Sequence, residues 1–286
     1  MSELLPVFLD VTSYVLILVL VALGLMIVFG MMGVINMAHG ELFMIGAFVM
    51  VAAQGAGLPF LAGLVLAPLV VGFLGLLIET ALIRHIYHRP LDTILATWGL
   101  SIALKQLIVL SFGPESQSVT LPLDGTLTLG AFSYPLYRLV LMAVSAVLIG
   151  GTFWLFIRTD FGLMARAVIA RPTTAATLGI DTRRMYRWSF VIGTALAGLA
   201  GALVAPIISV DPQMGLGYLV PGFLSILVGG AGALAGVLVG GAVVGGVGNL
   251  LAVWISPVAA LITVYILAIL IIRLKPEGIL GGRRAK

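Results

Sequence analysis

Three side chains that can donate, accept or relay protons stand within six positions of one another. They are Asn36, His39 and Glu41, in the stretch GMMGVINMAHGELFMIGAFV that runs from Gly30 to Val49. A histidine near a glutamate is raw material for general acid–base chemistry, and the same pair is the beginning of a metal site. Either chemistry needs companions. The chain has no cysteine, which removes thiolate nucleophiles, Cys-ligated metal and disulfides together. A nucleotide-binding P-loop needs a lysine followed by Ser or Thr. The lysines here are Lys105, Lys275 and Lys286, followed by Gln106, Pro276 and the end of the sequence. No zinc-protease helix motif and no Gly-x-Ser-x-Gly elbow occurs. His85 and His88 could share a helix face, but Arg84 and Arg89 flank them, and a polar cap at a membrane interface fits them better than a metal. No catalytic residue, metal ligand or cofactor is therefore assigned, and the chain is not expected to be an enzyme.

The elements around this cluster explain why it is conspicuous. Of the 286 residues, 61% are hydrophobic and 9% charged, with a mean hydropathy of +1.23. A soluble domain carries about 25% charged residues, so this chain lacks the means to cover itself in water. The apolar runs are long and do not alternate, which excludes an outer-membrane barrel and predicts an all-α, polytopic membrane helical bundle in a single domain over residues 1–286. The N-terminal segment has no Lys or Arg ahead of its apolar run, so a retained membrane helix is expected there rather than a cleaved signal peptide.

About 20 apolar residues cross a bilayer. By that measure spans are expected at Val11–Met31, Met37–Gln54, Phe60–Ile83, Thr93–Phe112, Leu136–Ile157, Trp188–Val210, Ala233–Leu251 and Pro257–Ile272, with Tyr218–Gly230 a short or half-crossing element. The total is eight or nine, with discontinuous helices. Asp92 and Thr93 read as the N-cap region of the fourth span. Residues 113–135 hold no Lys or Arg and many turn formers, the composition of an outer loop with a hairpin. All the basic residues except Lys105 and Arg138 fall in three clusters, around Arg84–Arg89, in 158–187, and from Arg273 to Lys286. The positive-inside rule places these in the cytoplasm, so the N-terminus is expected outside and the C-terminus inside. Such clusters cap membrane segments, and no nucleic-acid partner is implied.

Polar side chains within a span need partners, and an ionised one costs about 2.5–3.5 kcal/mol at the bilayer centre on insertion scales. Gly33 and Gly40 beside Asn36, His39 and Glu41 loosen the backbone, which is tolerated only where protein or a water-filled cavity satisfies the freed groups. Two readings stand: a pore-lining or gating element on a translocation path, or a polar knot that braces a broken helix. Glu79, near the end of the third span, is positioned to pair with a cytoplasmic arginine. A second glycine-broken segment at Pro221–Gly236 echoes the first, and paired interruptions of this kind point to a transport path. Gly193, Ala197, Gly201 and Ala205 recur every four residues, as do Gly232, Gly236 and Gly240. Such small faces serve helix packing within the chain or a subunit interface.

Between Arg158 and Arg187 lies DFGLMARAVIARPTTAATLGID. Leu163, Met164, Ala167 and Val168 suggest an apolar turn or two. Thr173–Leu178 can form a short helix begun by Pro172 and closed by Gly179. It would lie on the membrane as an amphipathic segment or dock a cytoplasmic partner.

On these stretches the sequence resembles the membrane subunits of ABC importers for branched-chain amino acids and for urea or short amides. GVINMAHGELFMIGAF is similar to that family's N-terminal motif, RAVIARPTTAATLGID to its coupling loop, and FVIGTALAGLAGAL and ILVGGAGALAGVLVGGAVVG to its later helices. The resemblance covers most of the chain. It implies a multi-pass inner-membrane permease that moves a small polar or zwitterionic solute inward. The implied partners are a second homologous permease subunit, two cytoplasmic ATP-binding subunits that hold the ATP, and an extracytoplasmic solute-binding protein. It also implies an ATPase-coupling segment at Arg166, Arg171, Pro172, Thr173, Ala175, Ala176, Leu178 and Gly179, although many relatives carry polar or acidic residues at the positions of Ala170 and Arg171. RPLDTILATWGLSIALKQ (89–106) is more similar to the urea/amide branch. The alternative class is a stand-alone, ion-coupled secondary transporter, against which the scarcity of intramembrane carboxylates (Glu41 and Glu79) argues.

Overall fold

The computed structural model describes residues 4–87, 89–129 and 132–281. In chain order its helices are α1 (Leu4–Met32), α2 (His39–Gly55), α3 (Phe60–Ala81, followed by a 3-10 turn at Ile83–His85), α4 (Pro90–Phe112), α5 (Leu136–Arg158), α6 (Asp160–Ala170) and α7 (Pro172–Thr177). Then come α8 (Thr182–Val204), α9 (Met214–Gly229), α10 (Leu234–Gly241), a π-helical turn (Ala242–Val247), α11 (Gly248–Trp254) and α12 (Pro257–Leu274). Seven of these stretches are long and apolar enough to cross a membrane: α1, α3, α4, α5, α8, the composite Leu234–Trp254, and α12. Among the described residues the one strand pair, β1 (Thr126–Leu129) against β2 (Phe132–Pro135), is an antiparallel hairpin with Thr126 opposite Pro135. It lies in the turn-rich connection where the sequence suggests one.

Prolines and short polar side chains set the helix starts. Pro90, Pro172 and Pro257 occupy first-turn positions, where the missing N–H costs nothing. Asp181 accepts from the Arg184 amide at 3.0 Å and starts α8 six residues before the expected Trp188, so Arg183, Arg184 and Arg187 are helical. The segment expected as a basic loop is likewise mostly helix, in α6 and α7. At the start of α4 the expectation is corrected: Arg89 is the N-cap, and Asp92 lies in the first turn, 3.4 Å from the Arg89 guanidinium. α8 ends at Val204 rather than Val210, because Val210 exchanges backbone hydrogen bonds with Gln117 (2.8 and 2.9 Å).

The core is organised around α8. A Cβ on Gly193 would lie 2.5 Å from the Gly24 carbonyl of α1, one on Gly198 2.6 Å from the Val71 side chain of α3, and one on Gly201 1.9 Å from the Phe43 carbonyl of α2. Side chains there would wedge the helices apart, and van der Waals contact is what holds membrane helices together. The small-residue face of α8 is thus filled from within the chain. Gly236 and Gly240 do the same against Gly229 and Ser225 of α9, and Gly241 and Gly245 against Val19 and Leu18 of α1.

Two polar clusters mark the ends of the bundle. At one end Asp10 pairs with Arg138 and accepts from Tyr134 (2.9 Å), and Gln54 bonds Thr120 through its amide nitrogen to the carbonyl (3.1 Å) and its oxygen to the N–H (2.9 Å). At the other end, Glu79 in the last turn of α3 meets Arg187 and Tyr87 near the connection that carries α6 and α7.

Candidate functional site

α1 stops at Gly33, whose φ of +67° lies in the left-handed region and whose N–H returns to the Phe29 carbonyl at 2.8 Å. Residues 33–38 are not helical, and α2 starts afresh at His39. Backbone of this kind at membrane depth needs internal partners, and α4 supplies two of them through one threonine. The Met37 N–H donates to Thr97 Oγ1 at 3.1 Å, and that hydroxyl in turn donates to the Thr93 carbonyl (2.7 Å) or the Ile35 carbonyl (3.3 Å). Asn36 Oδ1 accepts from the Ala38 N–H at 3.1 Å and so shapes the turn.

His39, fully buried, donates from Nε2 to the Val21 carbonyl of α1 at 3.2 Å. That carbonyl can only accept, so the proton sits on Nε2. Glu41, 1% exposed, accepts at Oε1 from Ser101 of α4 at 2.5 Å. Gly40 does not break the helix; it permits contact. A Cβ there would lie 2.6 Å from the Gly215 carbonyl at the start of α9, and one on Gly215 would lie 2.5 Å from Glu41 Oε2.

The three polar side chains therefore do not form a mutual knot. Asn36 holds its own turn, His39 ties α2 to α1, and Glu41 ties α2 to α4, while Gly40 seats α2 on α9. Among the described residues Asn36 Nδ2, His39 Nδ1 and Glu41 Oε2 are buried without a hydrogen-bond partner. The cluster has hydrogen-bonding capacity to spare. Thr97, Ser101 and Gly215 carry the other half of these contacts, and a motif search of the first segment does not find them. A signal was present: Thr93, Thr97, Ser101 and Lys105 recur every four residues, a polar line along one helix face. Lys105 extends it by donating to Gln213 at 3.0 Å, just before α9.

The second constellation is at the opposite end. α6 is pinned to α5 by Gly162, whose Cβ would lie 2.2 Å from the Phe156 carbonyl, and by Arg166, whose guanidinium donates to that same carbonyl. Arg166 is thus engaged within the chain. α7 presents Arg171, Pro172, Thr173, Thr174, Ala176 and Thr177 to its surroundings, with Ala175 buried beneath and Leu178 77% exposed at the tip. Gly179, at φ +89°, turns the chain into α8.

Two turns into α8, Arg187 Nε donates to Glu79 Oε2 at 3.3 Å, and Tyr87 donates to Glu79 Oε1. The expected partner of Glu79 is thus found in α8 rather than in the adjacent Arg84. Burial, and then the carboxylate beside it, hold the Tyr87 phenol above its ordinary range, so it remains a donor. His88 lies outside the described residues, as do Arg283, Arg284 and Lys286 of the C-terminal basic cluster.

Residues 7–274 match the family described as branched-chain amino acid transport system / permease component. The chain belongs to this family. Among its relatives, the high-affinity branched-chain amino acid transport system permease protein LivH of Escherichia coli K12 is 30% identical over 282 residues, covering 92% of this chain and 90% of the relative. The corresponding BraD of Pseudomonas aeruginosa is 29% identical over 284 residues, covering 92% and 91%. A probable LivH of Methanocaldococcus jannaschii is 30% identical over 239 residues, covering 80% and 75%. No solved structure matches. The permease is a transport component rather than an enzyme, and with seven membrane-length helices among the described residues it is a multi-pass protein of the inner (plasma) membrane.

Proposed function

We propose that this permease forms one half of the membrane channel of an ABC importer for a branched-chain amino acid. A second homologous permease subunit would supply the other half, two cytoplasmic ATP-binding subunits the ATP hydrolysis, and an extracytoplasmic binding protein the solute. The relatives' names support the solute. The similarity of residues 89–106 to the urea/amide branch does not count against it. Thr93, Thr97 and Ser101 in that stretch brace the broken segment, so what they share with other permeases concerns packing. The positive-inside rule supports placing the α6–α7 end in the cytoplasm and the hairpin end outside.

One observation carries the reading: α7, with Leu178 exposed at its tip, is a short helix projecting between α6 and α8 at the cationic end of the bundle. In this mechanism the ATPases push on α7. α8 follows through the tight turn at Gly179, and the Glu79–Arg187–Tyr87 cluster passes the displacement to α3. Close glycine contacts make α8, α1, α2 and α3 move as a packed body. The non-helical residues 33–38 are where that body can give, with Asn36, His39 and Glu41 bracing the break on either side.

In the assembled transporter, Leu178→Asp is expected to abolish solute-stimulated ATPase activity while leaving membrane insertion intact. Normal stimulation would remove α7 from the coupling role. The ion-coupled alternative predicts uptake by this chain alone in liposomes, indifferent to ATP and sensitive to ionophores.

A further inference from the structure

The hairpin end of the bundle contains a cavity of about 290 Å³, lined by residues of α1, α5, α9, α11, the end of α8 and the connection after it. That volume is at the lower end of small-molecule sites, about 300–1,000 Å³. Its lining has two chemistries. Ile17, Val204, Ile207 and Ile208 are aliphatic, whereas Asp10, Arg138, Tyr14, Tyr218 and Asn249 are charged or polar. The Asp10 carboxylate on α1 and the Arg138 guanidinium on α5 are in direct contact within this lining, so a solute held by both charges inserts between them.

The polar lining retains free hydrogen-bonding capacity. Tyr87, Tyr134 and Tyr137 all donate their hydroxyls within the described structure. The hydroxyls of Tyr14 and Tyr218 have no partner among the described residues, although the two rings stand only 5.9 Å apart. Asn249 uses its amide nitrogen on the Gly245 carbonyl, at 3.0 Å, within the π-helical turn, and its amide oxygen has no partner among the described residues. π-turns inside helices are frequently found at functional sites. Tyr218 also packs on Phe43 of α2 at 4.4 Å between ring centroids, two residues beyond the Glu41 brace. Tyr218 therefore connects this cavity to the first turns of α2, the helix that follows the broken segment.

We propose that this cavity is a holding site for a zwitterionic amino acid with an aliphatic side chain, within this subunit and ahead of the break in α1–α2. Asp10 takes the solute's ammonium, Arg138 takes its carboxylate, and the aliphatic wall takes its side chain. Tyr14, Tyr218 and Asn249 supply the remaining hydrogen bonds. A charge pair of this kind selects a zwitterion over a neutral amide of similar size. The proposal rests on the branched-chain amino acid reading above and deepens it.

The absence of cysteine from the chain makes a direct test available. Ile207→Cys gives the subunit a single thiol, and Ile208→Cys repeats the measurement if the first variant does not assemble. Labelling by a membrane-impermeant methanethiosulfonate is followed in the complete transporter with its binding protein, with and without saturating leucine. Leucine is expected to slow labelling at least fivefold, and urea at the same concentration to leave it unchanged. A Thr120→Cys thiol, outside the cavity, should label equally in all conditions. Tyr218→Phe should raise the KM for leucine uptake about three- to tenfold, the loss of one hydrogen bond. If the wild-type complex takes up no leucine, the solute assignment falls. If it takes up leucine while labelling at positions 207 and 208 is unaffected and Tyr218→Phe keeps its KM, the cavity proposal alone is overturned.

Discussion

Removing one hydroxyl, by Ser101→Ala, tests whether Glu41 braces α2 against α4. Glu41 is 1% exposed, Ser101 is the hydrogen-bond donor to its Oε1, and Oε2 has no partner among the described residues. The substitution leaves a buried carboxyl group with no side-chain partner at all. A hydrogen bond to such a group contributes about 1–3 kcal/mol, and the lost hydroxyl leaves little void, so cavity terms add little. At about 2–4 °C per kcal/mol for a chain of this size, the melting temperature of the purified permease in detergent should fall by about 2–12 °C.

Glu41→Met removes the same contact from the other side, since it keeps the side-chain length but offers Ser101 no oxygen acceptor. The two substitutions share one bond, so their combined effect should be smaller than the sum by about 1 kcal/mol or more. Thermal unfolding followed by intrinsic fluorescence, on the two single variants and the double variant, gives all the terms. A melting temperature within 1 °C of wild type for Ser101→Ala, or strict additivity in the double variant, would refute the brace.

Gly46→Ala places a Cβ 2.0 Å from the Gly198 carbonyl. Against the helix propensity that alanine gains, about 1 kcal/mol, overpacking should cost about 1–3 kcal/mol or more, and the yield of folded permease in detergent should drop. Arg187→Ala strips Glu79, whose side chain is 2% exposed, of its counter-charge. Breaking a fully buried pair costs about 3–5 kcal/mol. With the arginine 39% exposed, about 1–3 kcal/mol is expected after solvent screening. Glu79→Gln in the same background should recover much of that loss, as read from melting temperatures. On the coupling reading, Arg187→Ala also lowers solute-stimulated ATPase activity more than basal ATPase activity in the assembled transporter.

Much of this protein is legible in one dimension because a membrane imposes one-dimensional rules. Helix length must match bilayer thickness, and backbone polar groups must be satisfied locally. Apolar runs therefore locate the seven membrane-length helices, although the expected span Met37–Gln54 is the 17-residue α2 and falls short of that length, and Pro172 with Gly179 brackets α7 in the sequence alone. The break at Gly33 is also visible, because polar side chains beside glycine have few other reasons to interrupt such a run. The sequence could not show what those side chains touch. Asn36, His39 and Glu41 look like one cluster along the chain, yet they brace the chain's own turn, α1 and α4 separately. Their partners lie up to 60 residues away, and only the packing of the bundle chooses among the available donors. The same holds for Glu79, which selects Arg187 at a separation of 108 residues over Arg84 nearby. Tertiary structure also decided the use of the glycine stripes: periodicity places small residues on one face of a helix, but only the neighbouring helix determines whether that face meets another part of the same chain.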